Sequence, residues 1–202
     1  RNRGVEINAV SLMTTHYHLI VTPTSDGALA KTMQGIGISH TRYFNRKYGR
    51  TGTLWNEPYD GALLLDERYW YNCVRYVDLN AFRAHIVATP EEWRWSSYRF
   101  HALGEPCDWL TPHPLYTRLG ATARARQQAY RALCALALTD DEINEQRHPP
   151  RLAAPQLPAG ASPATRSSRP EFRLRVHPPR PSQRPRPPPP APRSPPPAGL
   201  PA

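Results

Sequence analysis

Two segments near the start of the chain alternate apolar and polar residues, a pattern that is typical of strands. VEINAVSL predicts a strand over residues 5–12, and HYHLIVT predicts a second over residues 16–22. Because only a short turn separates them, we expect an antiparallel hairpin. Side chains of a strand point alternately to its two faces. His16 and His18 therefore share one face with Ile20 and Thr22, and Tyr17, Leu19 and Val21 share the apolar face.

Apolar residues at spacings of three and four predict two helices after this hairpin. The first begins at a cap formed by Ser25 or Asp26 and ends at Gly49. Its apolar face includes His40, which we expect to be a core histidine with a satisfied ring rather than a ligand. The second helix runs through DERYWYNCVRYVDLNAFRAHIV and is capped by Asp66.

The remaining segments complete an α+β pattern. TGTLWNEPYDGALLL predicts an irregular strand or strand pair broken near Pro58, and residues 121–146 predict a C-terminal helix. This order of elements indicates an antiparallel sheet with helices packed on one face. No apolar segment approaches the ~20 residues that a membrane span needs. Three widely spaced cysteines fit a reducing, cytoplasmic location.

The net charge of +10 is unevenly distributed along the chain. Residues 151–202 contain nine arginines and one acidic residue, whereas residues 1–150 contain 17 basic and 15 acidic residues. Seventeen of the 25 prolines also follow residue 150. We therefore expect residues 147–202 to be a disordered Pro/Arg-rich tail, which is either passive, a proline-rich ligand or a non-specific nucleic-acid arm.

Candidate chemistry centres on the two histidines of the second strand. Two imidazoles on one strand face can share a divalent metal, although two ligands alone make an incomplete site. Tyr76 is a candidate nucleophile, and Asn80 lies one helical turn further on, where its amide oxygen could complete the ligand set. The alternative is that His16 and His18 are idle on an exposed face and that Tyr76 is an ordinary half-buried aromatic residue.

A cluster of cationic residues crowds the end of the first helix. Its members are Arg42, Arg46, Lys47 and Arg50. They either interact favourably with the helix C-terminus or form a phosphate-binding patch for DNA.

Four sequence blocks occur in an order and spacing that resemble those of the single-tyrosine HUH transposases. The blocks are LMTTHYHLIVTP, RYFNRKYGRTGTLWNEPY, RYVDLNAFRAHIV and WRWSSYRFHALG. Over roughly residues 5–120 the chain resembles the insertion-sequence-200-like group, especially the REP-associated tyrosine transposases. The resemblance implies a ferredoxin-like fold, Tyr76 as nucleophile, and Mg²⁺ or Mn²⁺ held by His16, His18 and Asn80. It also implies that single-stranded or hairpin DNA is nicked and rejoined through a 5′-phosphotyrosine intermediate.

The chain departs from the usual pattern of that family in several places, and two of these departures bear most directly on the site. Family members usually begin with another strand and helix, so we expect residues 1–120 to be a catalytic domain without its first strand and helix. The block after the nucleophile usually reads Asn-Pro-Val-Arg-Ala-Gly, whereas here it reads NAFRAH. Two other hypotheses therefore stay open: a DNA-binding remnant that no longer cuts, and an unrelated α+β interaction protein. Both a monomer and a homodimer are compatible with the sequence.

Overall fold

The computed structural model describes residues 4–55, 59–64, 66–147 and 172–176. The strands are β1 (Val5–Leu12), β2 (Tyr17–Pro23), β3 (Asp60–Leu63) and β4 (Phe172–Val176). The helices are α1 (Ala28–Tyr48), α2 (Glu67–Asp78), α3 (Asn80–Arg83), α4 (Pro114–Arg118), α5 (Ala123–Ala135) and α6 (Asp140–Arg147). A 3-10 turn (Pro90–Glu92) and a π-helical turn (Arg99–Leu103) lie between α3 and α4. The predicted α+β class is confirmed.

The four strands form one antiparallel sheet in the order β1-β2-β4-β3. The predicted hairpin of β1 and β2 is confirmed, and in it Leu12 pairs with Tyr17 and Ser11 pairs with His18. The strand predicted around Pro58 is reduced to β3, and Pro58 itself lies outside the described residues.

Helices cover both faces of this sheet, so the prediction that they pack on one face is wrong. On one face, Ile20 of β2 packs with Val74 of α2 in a buried cluster. On the opposite face, Leu19 of β2 packs with Met33 of α1 in a second cluster. β1 and β2 carry apolar side chains on both faces, and each face therefore needs a covering layer to exclude water.

The first predicted helix is confirmed, but its N-terminal cap differs from the prediction. α1 begins after Gly27, whose φ of 71° lies in the left-handed region that favours glycine, rather than at Ser25 or Asp26. Gly49 ends the helix as predicted, with a φ of 60° and an N–H that donates to the carbonyl of Asn45.

His40 is exposed, so its predicted role as a core histidine is wrong. α1 has 21 residues and is therefore about 31 Å long. β2 has seven residues and spans only about 23 Å. Met33, in the first half of α1, is buried, whereas the second half of the helix continues past the core and leaves His40 and Tyr43 at the surface.

The second predicted helix begins where expected and is interrupted near its end. The N–H of Tyr69 donates to Oδ1 of Asp66 at 2.8 Å, which confirms the predicted cap. The expected single helix is instead divided into α2 and α3 at Leu79, whose backbone (φ −90°, ψ 3°) departs from helical geometry. Most of α2 is buried, because it lies between the sheet and the C-terminal helices.

The region predicted as one C-terminal helix contains two, α5 and α6. Thr122 caps α5 by accepting a hydrogen bond from the N–H of Ala125 at 3.1 Å. Tyr130 of α5 is fully buried in the cluster that includes α2, so α5 supports α2 from the side away from the sheet. Within the described part of the chain, no helix is long and apolar enough to cross a membrane.

β4 lies inside the segment that was predicted to be a disordered tail, and over its five residues that prediction is wrong. Its sequence, FRLRV, alternates apolar and basic residues and contains no proline, which permits pairing in a sheet. β4 pairs with both β2 and β3 and so joins them, with Arg175 in register between His18 and Asp60. The rest of the predicted tail lies outside the described residues.

Candidate active site

The two histidines predicted as metal ligands lie at the start of β2, on the face that α2 covers. Their ring centroids are 4.9 Å apart and the rings are nearly perpendicular. His18 is fully buried and His16 is half-buried. The alternative of two idle histidines on an exposed face is therefore wrong for His18.

The junction between α2 and α3 places two further predicted residues against His18. The ring centroid of Tyr76, near the end of α2, is 5.8 Å from that of His18, with an edge-to-face orientation. Nδ2 of Asn80, the first residue of α3, lies 3.2 Å from Nε2 of His18. The structure thus brings His16, His18, Tyr76 and Asn80 into one group, which we call the histidine–tyrosine cluster.

Sequence reasoning missed Arg83, which also lies at this cluster. Its guanidinium carbon is 5.0 Å from the centroid of the Tyr76 ring, a distance at which a cation and an aromatic ring attract each other. The contact places a positive charge beside the ring of the candidate nucleophile. The signal in the sequence is the spacing of seven residues, since residues two helical turns apart share a face.

The cluster offers three donor groups for a divalent metal: the imidazoles of His16 and His18 and the amide of Asn80. Within the described residues, no group of three or more histidine, cysteine, aspartate or glutamate side chains is placed to hold a metal. If the cluster holds a metal, its third ligand has to be of another type, and the Asn80 amide already meets a His18 ring nitrogen. Because the two ends of an amide are assigned from the hydrogen-bond network, a 180° rotation would direct its oxygen to the same point.

A buried polar network holds the end of α2 from the other side. Asp78 is 1% exposed and accepts a hydrogen bond from the hydroxyl of Ser97. Its Oδ2 also lies 2.6 Å from the Tyr130 hydroxyl and 2.8 Å from Nδ1 of His101. Burial, and then the negative charge of Asp78, raise the pKa of Tyr130 well above its ordinary value, so the hydroxyl stays protonated and donates. The network fixes the backbone two residues after Tyr76.

The four cationic residues predicted to bind DNA lie apart from the cluster, on the helix that covers the opposite face of the sheet. They are Arg42, Arg46, Lys47 and Arg50, at or just beyond the C-terminal half of α1. Nζ of Lys47 lies 5.6 Å from the Tyr43 ring centroid and 5.5 Å from that of Tyr48, and both tyrosines are more than half exposed. Exposed rings can stack on bases, and the cations beside them can attract phosphates.

This cationic half of α1 is nevertheless at the same end of the sheet as the histidines. The ring of Trp55 is 5.5 Å from that of His40 on α1 and 6.0 Å from that of Tyr17 (centroid distances). Tyr17 lies between His16 and His18 in the sequence and points to the α1 side of the sheet. The cationic half of α1 and the histidine–tyrosine cluster thus lie at one end of the sheet, on its opposite faces.

Comparison with known proteins supports the relationship that the sequence blocks indicate. Residues 1–79 match the family model described as "Transposase IS200 like". The matched region includes His16, His18 and Tyr76 and ends one residue before Asn80. No curated protein and no solved structure matches the chain.

Proposed function

We propose that this protein nicks and rejoins single-stranded or hairpin DNA through a covalent bond to Tyr76, and the match of residues 1–79 to the family model of IS200-like transposases supports this proposal. One observation carries the proposal: the Tyr76 ring and the Asn80 amide both meet His18, although the three residues come from different elements. A nucleophile next to ligands for a metal is the arrangement that phosphoryl transfer requires.

In the proposed cleavage step, the hydroxyl oxygen of Tyr76 attacks the phosphorus of a DNA phosphodiester. The bond from phosphorus to the 3′ oxygen breaks, and the 5′ phosphate stays on the tyrosine. The proton lost by Tyr76 is balanced by the proton that the leaving 3′ oxygen gains as a hydroxyl. Attack by a second 3′ hydroxyl on the phosphotyrosine reverses these bond changes and rejoins the strand, so no ATP is needed.

His16, His18 and Asn80 would hold the divalent metal, which would polarise a phosphate oxygen in this step. Two nitrogen donors and one amide oxygen suit Mn²⁺ better than Mg²⁺, because Mg²⁺ strongly prefers oxygen ligands. Arg83, above the Tyr76 ring, would contribute a fixed positive charge next to the same phosphate.

The adduct experiment uses the full chain, a labelled hairpin with single-stranded flanks, and Mn²⁺. A denaturing gel should reveal DNA covalently attached to the wild-type protein, and peptide mapping should locate it at Tyr76. Tyr76→Phe removes only the attacking oxygen and should abolish the adduct. The matched control is Tyr69→Phe, a buried tyrosine on the same helix, which should retain it.

Further variants separate the metal from the nucleophile. Calorimetry should detect near one-to-one binding of Mn²⁺ to the wild-type chain, and the double variant His16→Ala, His18→Ala should lose both this binding and the adduct. An adduct that persists in Tyr76→Phe, or one that maps to Tyr69, would refute the assignment.

A second candidate function is DNA binding without cleavage. The observation that favours it is the burial of Tyr76, which is 8% exposed, because an attacking hydroxyl must reach the phosphate. A wild-type chain that binds the hairpin but forms no adduct with Mn²⁺ would select this second function.

A further inference from the structure

We propose that a groove beside β1 binds an unpaired base of the DNA strand that enters the histidine–tyrosine cluster. We call it the tryptophan groove and define it by four of its lining residues, Arg94, Phe100, Trp109 and Leu110, together with Trp95, whose ring contacts Arg94. This inference rests on the proposed function, since it deepens the description of the DNA substrate. It assigns base stacking to residues outside the matched region and outside the predicted site.

The tryptophan groove has apolar and polar lining residues, with exposed tryptophan side chains at and beside its edge. Its volume is about 460 Å³, which lies within the range of small-ligand sites. Phe100 and Leu110 line it, and Trp109 at its edge is 56% exposed. Trp95 does not line the cavity itself; it lies between the lining residues Arg94 and Ser96 in the sequence and is 52% exposed. Exposed tryptophan faces beside a cavity can accept any base, because every base has a flat π-face.

The charges around the groove favour a nucleic acid over a neutral ligand. The guanidinium carbon of Arg94 lies 4.9 Å from the Trp95 ring centroid, so a cation and a stacking surface are adjacent. Arg99 makes a two-point ion pair with Glu105, at 2.8 and 2.5 Å. The charged residues that line the groove are therefore two arginines and one glutamate, and their net charge is positive.

The position of the groove relative to the cluster supports a single continuous DNA strand. The N–H of Leu12, at the end of β1, donates to the carbonyl of Trp95 at 2.9 Å. Ser96 is bridged to Ser11, which in turn pairs with His18. Ser96 and His18 are thus two strand spacings apart, or about 10 Å. This separation is short compared with the 4–16 nucleotides that a single-strand-binding fold can contact.

The test measures binding of a fluorescent single-stranded oligonucleotide to the full chain, without metal, by anisotropy. Trp95→Ala and Trp109→Ala should each weaken binding about fivefold to 100-fold, the range expected for loss of one base–aromatic stack. Trp95→Phe keeps a ring and should recover most of the affinity. The control is Leu136→Ala, which removes a side chain that is 61% exposed outside the groove, and its affinity should equal that of wild type.

The outcomes distinguish this inference from the proposed function. If both alanine variants bind DNA as tightly as wild type, the groove does not stack on a base and the inference is overturned, whatever the Tyr76 adduct assay gives. If the two alanine variants bind the oligonucleotide weakly while wild type forms no adduct, base stacking in the groove is supported and the proposed nicking function is refuted. Absence of single-strand binding in wild type also overturns the inference, as does equal weakening by Leu136→Ala.

Discussion

Replacing His85 with glycine should stabilise the protein, because His85 occupies a backbone position that suits glycine. Among the described residues, it is the only non-glycine residue with a positive φ, 54°. Its N–H donates to the carbonyl of Phe82, and the N–H of Ile86 donates to the carbonyl of Ala81, each at 3.0 Å. These two bonds form a Schellman motif at the end of α3, in which the left-handed residue is usually glycine. The transposase family that the sequence blocks resemble usually has glycine at the position of His85.

The size of the effect follows from two opposing terms. A left-handed conformation costs a residue with a Cβ about 1–2 kcal/mol. Glycine, in return, loses about 0.5–1 kcal/mol more conformational freedom on folding than alanine does. The His85 side chain is exposed, so its removal sacrifices little packing. We expect His85→Gly to raise the free energy of unfolding by about 0.5–1 kcal/mol, with the lower value favoured because histidine tolerates this region better than most residues.

The assay is urea denaturation followed by circular dichroism at neutral pH. With an m-value of about 1–3 kcal/mol per molar, the midpoint should rise by about 0.2–1 M. His85→Ala is the control, since it removes the imidazole but keeps the Cβ, and it should give no gain. A second control, Gly49→Ala at the left-handed end of α1, should lower the midpoint. A midpoint that falls in His85→Gly, or rises equally in His85→Ala, would refute the backbone argument.

Buried tyrosines and one cysteine provide two other tests of the core. The Tyr130 hydroxyl donates to the Asp78 carboxylate at 2.6 Å, whereas the Tyr116 hydroxyl donates to the neutral carbonyl of His101 at 2.8 Å. In urea denaturation, Tyr130→Phe should therefore cost about 1.5–3 kcal/mol and Tyr116→Phe about 0.5–1.5 kcal/mol, and equal losses would contradict the charged character of the first bond. Burial raises the pKa of Cys134 from 9.0 to about 12. The unfolded chain loses this proton first, so the free energy of unfolding should fall as pH rises from 9 towards 12. Cys134→Ala should reduce that fall, and an unchanged pH profile in the variant would disprove the contribution.

Local patterns in the sequence determined the elements that carry the site. The alternation in residues 16–22 predicts that His16 and His18 share a face. This prediction needs no knowledge of the neighbouring strands, because the two-residue period is a property of each strand alone. Asp66 and Gly49 mark helix ends through bonds to their own or neighbouring backbone, and both predictions are confirmed. The spacing of Tyr76 and Asn80 likewise predicts neighbours on one helical surface.

Only the tertiary structure decided what surrounds those residues. Apolar side chains on both strand faces do not say which helix covers which face, and the sequence prediction of one covered face was wrong. Asp78 meets Ser97, His101 and Tyr130 through contacts between segments whose separation no local period encodes.

The strand β4 illustrates the same physical limit most sharply. FRLRV has the alternation of a strand. The proline-rich sequence on both sides of it nevertheless led to the prediction that the whole segment is disordered. Whether a five-residue segment pairs depends on whether free backbone groups of β2 and β3 lie at the correct spacing, and that is a property of the assembled sheet. Periodicity therefore determined which strands and helices could form, and the three-dimensional arrangement determined which of them meet.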